Sequence, residues 1–294
     1  MSKPFDVIIF YKYTSVTDPK GLMLWMRALC LSLEIKGRIL IAEEGINGSV
    51  EGTRDQLDQF ESEVSSCSYA DFHDLWFKSS PGTGSAFRKL IIKVRPNILN
   101  IGLDAEADIN PNITTGTHIE PEELHNWFTQ GEDFAIVDMR NDYEFTVGRF
   151  KGSIDPGMKN FRDLKELIPS LQHLKGKKVL TVCTYGVRCE KASGLLLNEG
   201  FDQVYQLHGG IGTYMKKYPG QNFEGSLYVF DERMTEQFTD AYDVVGRCTG
   251  CNEKSERFGN CAWSPCHKQL IICENCEPSS IWCSDTCKDS MPQS

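Results

Sequence analysis

A chain of 294 residues exceeds what one ordinary hydrophobic core supports and predicts two or three domains. Its 40% hydrophobic and 24% charged residues are a globular balance, and no apolar run is long enough to span a membrane. The net charge of −10 excludes a surface that binds polyanions everywhere, so any nucleic-acid contact must come from a local basic patch. The N-terminus, Met-Ser-Lys-Pro-Phe-Asp-Val, opens a strand rather than a signal peptide, which makes the cytoplasm the expected location.

Residues 1–96 come first. The β-branched and aromatic run 5–13 predicts a strand. Asp18-Pro19 opens a helix to about 33, with Leu22, Trp25, Met26 and Leu29 on one face. Residues 38–43 and 47–51 form a strand pair around Gly45, and Thr53 opens a second helix to about 64 that turns Leu57, Phe60 and Val64 inward. Two further strands are expected at 72–78 and 88–95. The order β-α-β-β-α-β-β predicts an α+β ferredoxin-like (acylphosphatase-like) sandwich with an additional strand or long hairpin. Residues 79–86, Ser-Ser-Pro-Gly-Thr-Gly-Ser-Ala, are expected to be a flexible loop, and they lack the strand-loop-helix setting of a phosphate-binding motif. Arg88, Lys89, Lys93 and Arg95, with Lys36 and Arg38, make a candidate RNA-binding face; solvated charges that protect a sheet edge are the competing reading.

Residues 97–116, with Pro, Asn, Gly and Asp and little periodicity, are expected to be a linker. From 117 to 226, helices at 120–128, 164–174 and 190–198 alternate with strands at 134–138, 179–182 and 204–207. That alternation predicts an α/β domain whose site lies at the strand C-termini, where Asp138 and Cys183 both fall. The strand at 179–182 runs straight into the loop Cys183-Thr184-Tyr185-Gly186-Val187-Arg188 and then a helix. Successive N–H groups in such a loop, the helix N-terminus and Arg188 all favour a thiolate at Cys183. Cys189 either resolves an oxidised Cys183 or turns into the core. Asp138 and Arg140 are expected to shape the core, and His208 to be a structural histidine rather than a base.

The tail, 227–294, is poor in apolar residues and holds eight of the twelve cysteines, as Cys248-x2-Cys251, Cys261-x4-Cys266, Cys273-x2-Cys276 and Cys283-x3-Cys287. Such spacing predicts two structural four-thiolate zinc sites, with His267 a substitute for Cys266 and iron–sulfur ligation the rival. Spacing alone leaves open whether the pairs combine serially or alternate. An ion there would be part of the fold, since binding energy is folding energy.

The middle region resembles the rhodanese family. The resemblance rests on Asp138-Met-Arg140, Glu144-Phe, Gly148-Arg-Phe and Gly152-Ser-Ile154, then Cys183-x4-Arg188 and His208-Gly-Gly-Ile211. With the domains on either side, the whole chain resembles the rhodanese-domain tRNA uridine hydroxylases of bacteria. Glu43-Glu-Gly-Ile-Asn-Gly48, Cys183-Thr-Tyr-Gly-Val-Arg-Cys-Glu-Lys-Ala-Ser193 and Phe230-Asp-Glu-Arg233 are close matches to that group. One departure is Tyr185, where the family typically carries a glycine; it narrows the loop's freedom and adds a ring. The resemblance implies 5-hydroxylation of the wobble uridine in the tRNA anticodon region, with Cys183 essential and molecular oxygen as co-substrate. It implies no membrane or protein partner. No flavin or nicotinamide motif is present in the sequence. The six-residue loop matches sulfur-handling rhodaneses, whereas phosphatase-like relatives use one residue more. A persulfide-carrying sulfurtransferase is the alternative function, and a non-catalytic adaptor the third.

Overall fold

The computed structural model describes residues 4–104, 107–266, 268–277 and 279–290. These fall into two units: the residues up to Thr115 with Asp231–Arg233, and Gly116–Phe230 with the residues from Met234.

The first unit runs β1 (Phe5–Tyr13), α1 (Pro19–Ser32), β2 (Lys36–Ala42), β3 (Gly45–Thr53), α2 (Arg54–Ser65), β4 (Lys78–Pro81) and β5 (Leu90–Val94). Asp18 caps α1 by accepting from Gly21 N at 2.9 Å. The strand order is β4-β1-β3-β2-β5. The first four strands give the antiparallel ferredoxin-like arrangement, and β5 is the additional strand, parallel to β2. Leu22 and Met26 of α1 and Leu57, Phe60 and Val64 of α2 bury against Ile8, Phe10, Ile39 and Ile41 of the sheet.

Three local expectations need correction. Residues 72–77 are not a strand: Leu75 N donates to Phe72 O, a tight turn that buries both side chains in the core. The strand is Lys78–Pro81 instead, paired with Asp6–Ile9, and the 79–86 segment is not a free loop. Its turn closes on the Glu51 carboxylate, which accepts from Thr83, Gly84 and Ala86 N at 2.8 Å each. Three N–H donors around a carboxylate 4% exposed hold the segment in place, a contact 32 to 35 residues distant that composition cannot announce. Residues read as linker also carry buried Ile98, Ile101 and Ile109.

The second unit begins with β6 (Thr117–Ile119), α3 (Pro121–Gln130), β7 (Phe134–Asp138), α4 (Asp142–Val147) and β8 (Gly148–Phe150). It continues through α5 (Leu164–Leu171), β9 (Lys178–Val182), α6 (Val187–Asn198), β10 (Gln203–Leu207), α7 (Gly210–Lys217), β11 (Phe223–Gly225), β12 (Leu227–Tyr228) and β13 (Thr235–Glu236). β14 (Phe258–Asn260), β15 (Gln269–Ile271) and α8 (Asp285–Asp289) complete it. The parallel sheet is ordered β6-β10-β9-β7, so β9 is flanked on both sides and its near-continuous apolar run is buried. Ile136, Leu180, Val182 and Leu207 of the sheet pack with Trp127, Phe150 and Tyr214. The sequence reading did not find α4 and α7, which are six and eight residues long and too short to show a full helical period. In the tail, Ile271 of β15 packs with Val147 of α4 and Tyr228 of β12, so the cysteine-rich segment belongs to the same unit as the parallel sheet.

Candidate active site and metal centres

Because β9 is flanked by β7 and β10, its C-terminus opens at the middle of the sheet edge, and Cys183 is its next residue. Gly186 has φ +105°, a conformation closed to most side chains, and it turns the chain so that α6 starts at Val187, three residues earlier than expected. The turn points an N–H group at the sulfur: Gly186 N donates to Cys183 Sγ at 3.2 Å, while Cys189 N donates to Gly186 O at 2.9 Å and closes the first turn of α6. The loop is fastened from behind by α7, whose Ile211 N donates to Cys183 O at 2.9 Å and Gly212 N to Thr184 O at 3.0 Å.

Burial opposes charge on Cys183, which is 1% exposed. The Cys189 thiol, the Arg188 charge and backbone N–H groups outweigh that effect and bring Cys183 from an ordinary 9.0 down to about 6. Cys189 is pushed the other way, well above 9.0, first by its own burial and then by the charge on Cys183. Cys189 is completely buried in the first turn of α6, as the core reading expects.

Arg188 does not stand free. Its Nη1 and Nη2 donate to Glu144 Oε1 and Oε2 at 2.6 and 2.8 Å, and Nη2 also to Thr184 Oγ1 at 3.1 Å. Glu144, fully buried, closes a capping box at the start of α4 by accepting from Asn141 N at 3.0 Å. It was missed as a site residue, although it sits within the motif Glu144-Phe that carried the family resemblance. Phe230, 47% exposed, places its ring 5.5 Å from the Arg188 guanidinium. Tyr185 donates to Glu236 Oε2 at 3.0 Å, and its ring fills the space beside Gly212, where a β-carbon would lie 2.4 Å from Cε1.

Asp138 and Val182 are partners in neighbouring strands, so Asp138 does reach the same sheet edge as Cys183. Its carboxylate, however, is taken by Arg140 at 2.6 Å, and Arg140 reaches on to Gly148 O at 2.6 Å. Both are buried and tie β7 to β8 rather than facing the sulfur. His208 pairs with Glu120 through Nδ1 at 2.7 Å. In the first unit, Lys36 and Arg38 of β2 and Lys93 of β5 alternate with buried residues and share one exposed sheet face, continued by Arg95. Arg88 and Lys89 precede β5, and Arg88 is engaged by Glu232 at 3.0 Å.

The eight tail cysteines form two groups whose sulfurs lie within 4.8 Å of one another: Cys248, Cys251, Cys273 and Cys276, and Cys261, Cys266, Cys283 and Cys287. The pairs alternate, first with third and second with fourth. Thr249 N donates to Ile271 O and Ala262 N to Ile281 O, both at 2.8 Å, which lays each early pair beside its late partner. Sulfur separations of 3.5 Å (Cys251–Cys273), 3.6 Å (Cys266–Cys283) and 3.4 Å (Cys283–Cys287) are far from disulfide length. They approach the ~3.8 Å edge of a tetrahedron with ~2.3 Å metal–sulfur bonds, so the donor sets fit a four-thiolate ion. His267 lies outside the described residues.

Residues 5–98 match the family described as UPF0176 acylphosphatase like domain, 120–217 the Rhodanese-like domain, and 224–288 the Rhodanase C-terminal family. Over 98% of its length the chain is 40% identical to a tRNA uridine(34) hydroxylase of Bacillus thuringiensis, covering 91% of that protein. A Cytophaga hutchinsonii protein of the same name is 40% identical over 97% of this chain and 90% of its own. The chain belongs to the tRNA uridine(34) hydroxylase family. A solved rhodanese-related protein from Thermoplasma volcanium aligns at a TM-score of 0.30 and 22% identity, over 34% of this chain and 92% of that one, too distant to add to the assignment. Among the described residues, no helix is long and apolar enough to cross a membrane.

Proposed function

We propose that this member of the family is a tRNA-modifying oxidoreductase that hydroxylates C5 of the wobble uridine, with dioxygen as co-substrate and Cys183 as the reactive group. The observation that carries this reading is the Cys183 sulfur at the C-terminus of β9, accepting from Gly186 N at 3.2 Å in the loop that Arg188 closes, where the surrounding donors and charge hold its pKa below the ordinary thiol value. The Cys183 thiolate bonds to C6 of the uracil, and the C5–C6 electron pair moves toward the C4 carbonyl, which makes C5 nucleophilic. C5 takes one oxygen atom; its proton then leaves as the C6–S bond breaks and the sulfur returns to the Gly186 N–H. The second oxygen atom leaves as water when an external reductant supplies two electrons and two protons. Since Cys183 is almost fully enclosed, the base must leave its stack to reach it.

The anticodon region is the proposed docking partner, with Lys36, Arg38, Lys93 and Arg95 as phosphate contacts and Lys89 beside them. Each four-cysteine group would hold one zinc ion, two in all, as a structural staple for a tail that lacks a large core. The reading places the protein in the cytoplasm, where tRNA is.

The test is accurate-mass analysis of tRNA nucleosides from cells lacking the protein, complemented by wild type or Cys183→Ser. Loss of a hydroxyuridine derivative, restored by wild type and not by the variant, is expected. Full restoration by the variant refutes the role of Cys183, and loss of a thiouridine instead supports persulfide transfer.

A further inference from the structure

The hairpin of β12 and β13 is tied to the Cys183 loop at two points. Tyr185 donates to Glu236 Oε2 at 3.0 Å, and the Arg188 guanidinium lies 5.5 Å from the centre of the Phe230 ring. Arg188 in turn donates to the hydroxyl of Thr184, the residue after Cys183, at 3.1 Å. Phe230 is also braced within its own hairpin. Its ring meets that of Tyr228 at 5.1 Å and 83°, and Val229 N closes on Met234 O at 2.9 Å. Tyr228 is buried, contacts the rings of Tyr143 and Phe258 at 5.2 and 5.1 Å, and donates to Gln269 Oε1 at 3.2 Å. Even with these neighbours Phe230 remains 47% exposed. A lone surface phenylalanine is ordinary, but this one is fixed against the cation of the reactive loop, and nothing in the uridine chemistry above uses it.

We infer that Phe230 is the platform on which the extruded wobble base stacks as it enters the Cys183 loop, an inference that rests on the uridine reading above. A base that leaves its own stack loses its neighbours on both faces, and an aromatic side chain replaces one of them. Uracil is planar and uncharged, so it covers the exposed ring surface without stranding a charge. The braces on Phe230 hold the ring in place before the RNA arrives, so little side-chain freedom is lost on binding. Every base has a π-face, so the ring supplies affinity for a base and leaves the choice of uracil to other groups.

The test measures the Kd of the full-length protein for two synthetic tRNA anticodon stem-loops, one with uridine at the wobble position and one with an abasic nucleotide there. Wild type should bind the uridine RNA more tightly. Phe230→Ala and Phe230→Leu, neither of which offers a ring, should weaken the uridine RNA roughly 5- to 150-fold, the range for one base on an aromatic side chain, and leave the abasic RNA unchanged. Phe230→Tyr and Phe230→Trp should keep the wild-type affinity. Equal losses on both RNAs make Phe230 a brace of the fold and overturn the proposal, and so does full uridine affinity in Phe230→Leu. Wild type that binds the two RNAs equally receives no base in the loop, which overturns the uridine reading as well. A second measurement needs no variant. A stem-loop with 5-iodouridine at the wobble position, irradiated on wild type, should crosslink to Phe230, and crosslinks confined to other peptides overturn the proposal.

Discussion

Replacing Arg188 by Gln removes a buried cation and leaves the Glu144 carboxylate enclosed without its partner. Two consequences follow, and they can be measured separately. Stripping one member from a buried ion pair costs about 3–5 kcal/mol, so Arg188→Gln should lose that much in a urea titration. The double variant Glu144→Gln/Arg188→Gln, with neither group charged, should recover most of it. The thiol behaves differently. Bringing Cys183 from 9.0 to about 6 corresponds to roughly 4 kcal/mol of preference for the thiolate, at ~1.36 kcal/mol per tenfold. At pH 7 that makes about nine in ten molecules thiolate, against about one in a hundred for an unperturbed thiol. Losing the Arg188 charge should move half-alkylation of Cys183 by iodoacetamide from near pH 6 toward the ordinary 9.0, in the single and the double variant alike. A single variant that still titrates near pH 6 would refute the contribution of the Arg188 charge, which acts beside the Cys189 thiol and the backbone N–H groups. A double variant as unstable as the single one would refute the ion-pair account. The same shift fixes a pH dependence. The folded thiol is more acidic than the unfolded one, so its stabilisation is complete above 9.0 and lost as pH falls through about 6. Wild type should therefore gain up to about 4 kcal/mol on Cys183→Ser between pH 6 and 9.

The remaining predictions are simpler. Elemental analysis should find two zinc ions per chain, and Cys273→Ser should release one and loosen the tail while the ferredoxin-like unit keeps its own melting transition; iron with a brown colour would point to clusters instead. Neutralising Lys36, Arg38, Lys93 and Arg95 together should flatten the salt dependence of tRNA affinity by about 0.7–0.9 in log–log slope per lost phosphate contact, and an unchanged slope would remove this face from the binding model. Glu51→Ala strands three N–H donors and should destabilise the first unit by about 3 kcal/mol or more in thermal unfolding, with protease cleavage appearing between Gly82 and Ala86.

What the sequence by itself determined is whatever depends on short-range order. The helices at α1 and α2 announce themselves through apolar spacing and caps, and the turn from β9 into α6 through Gly186. Cys-x4-Arg and the four cysteine pairs are likewise local, because a loop's length and a chelate's bite are set by neighbouring residues. What only the tertiary structure decided are partnerships across long separations. Glu144 pairs with Arg188 at a separation of 44 residues, and Glu51 gathers the N–H groups of the turn after β4. The β14–β15 hairpin, with its two flanking carbonyl contacts, selects alternating over serial cysteine pairing. Cys189 follows the same rule. Its place beside Arg188 in the sequence is plain, but helix geometry alone does not say whether it faces Cys183. What the fold decides is its complete burial in the first turn of α6, with its N–H closed on Gly186 O at 2.9 Å.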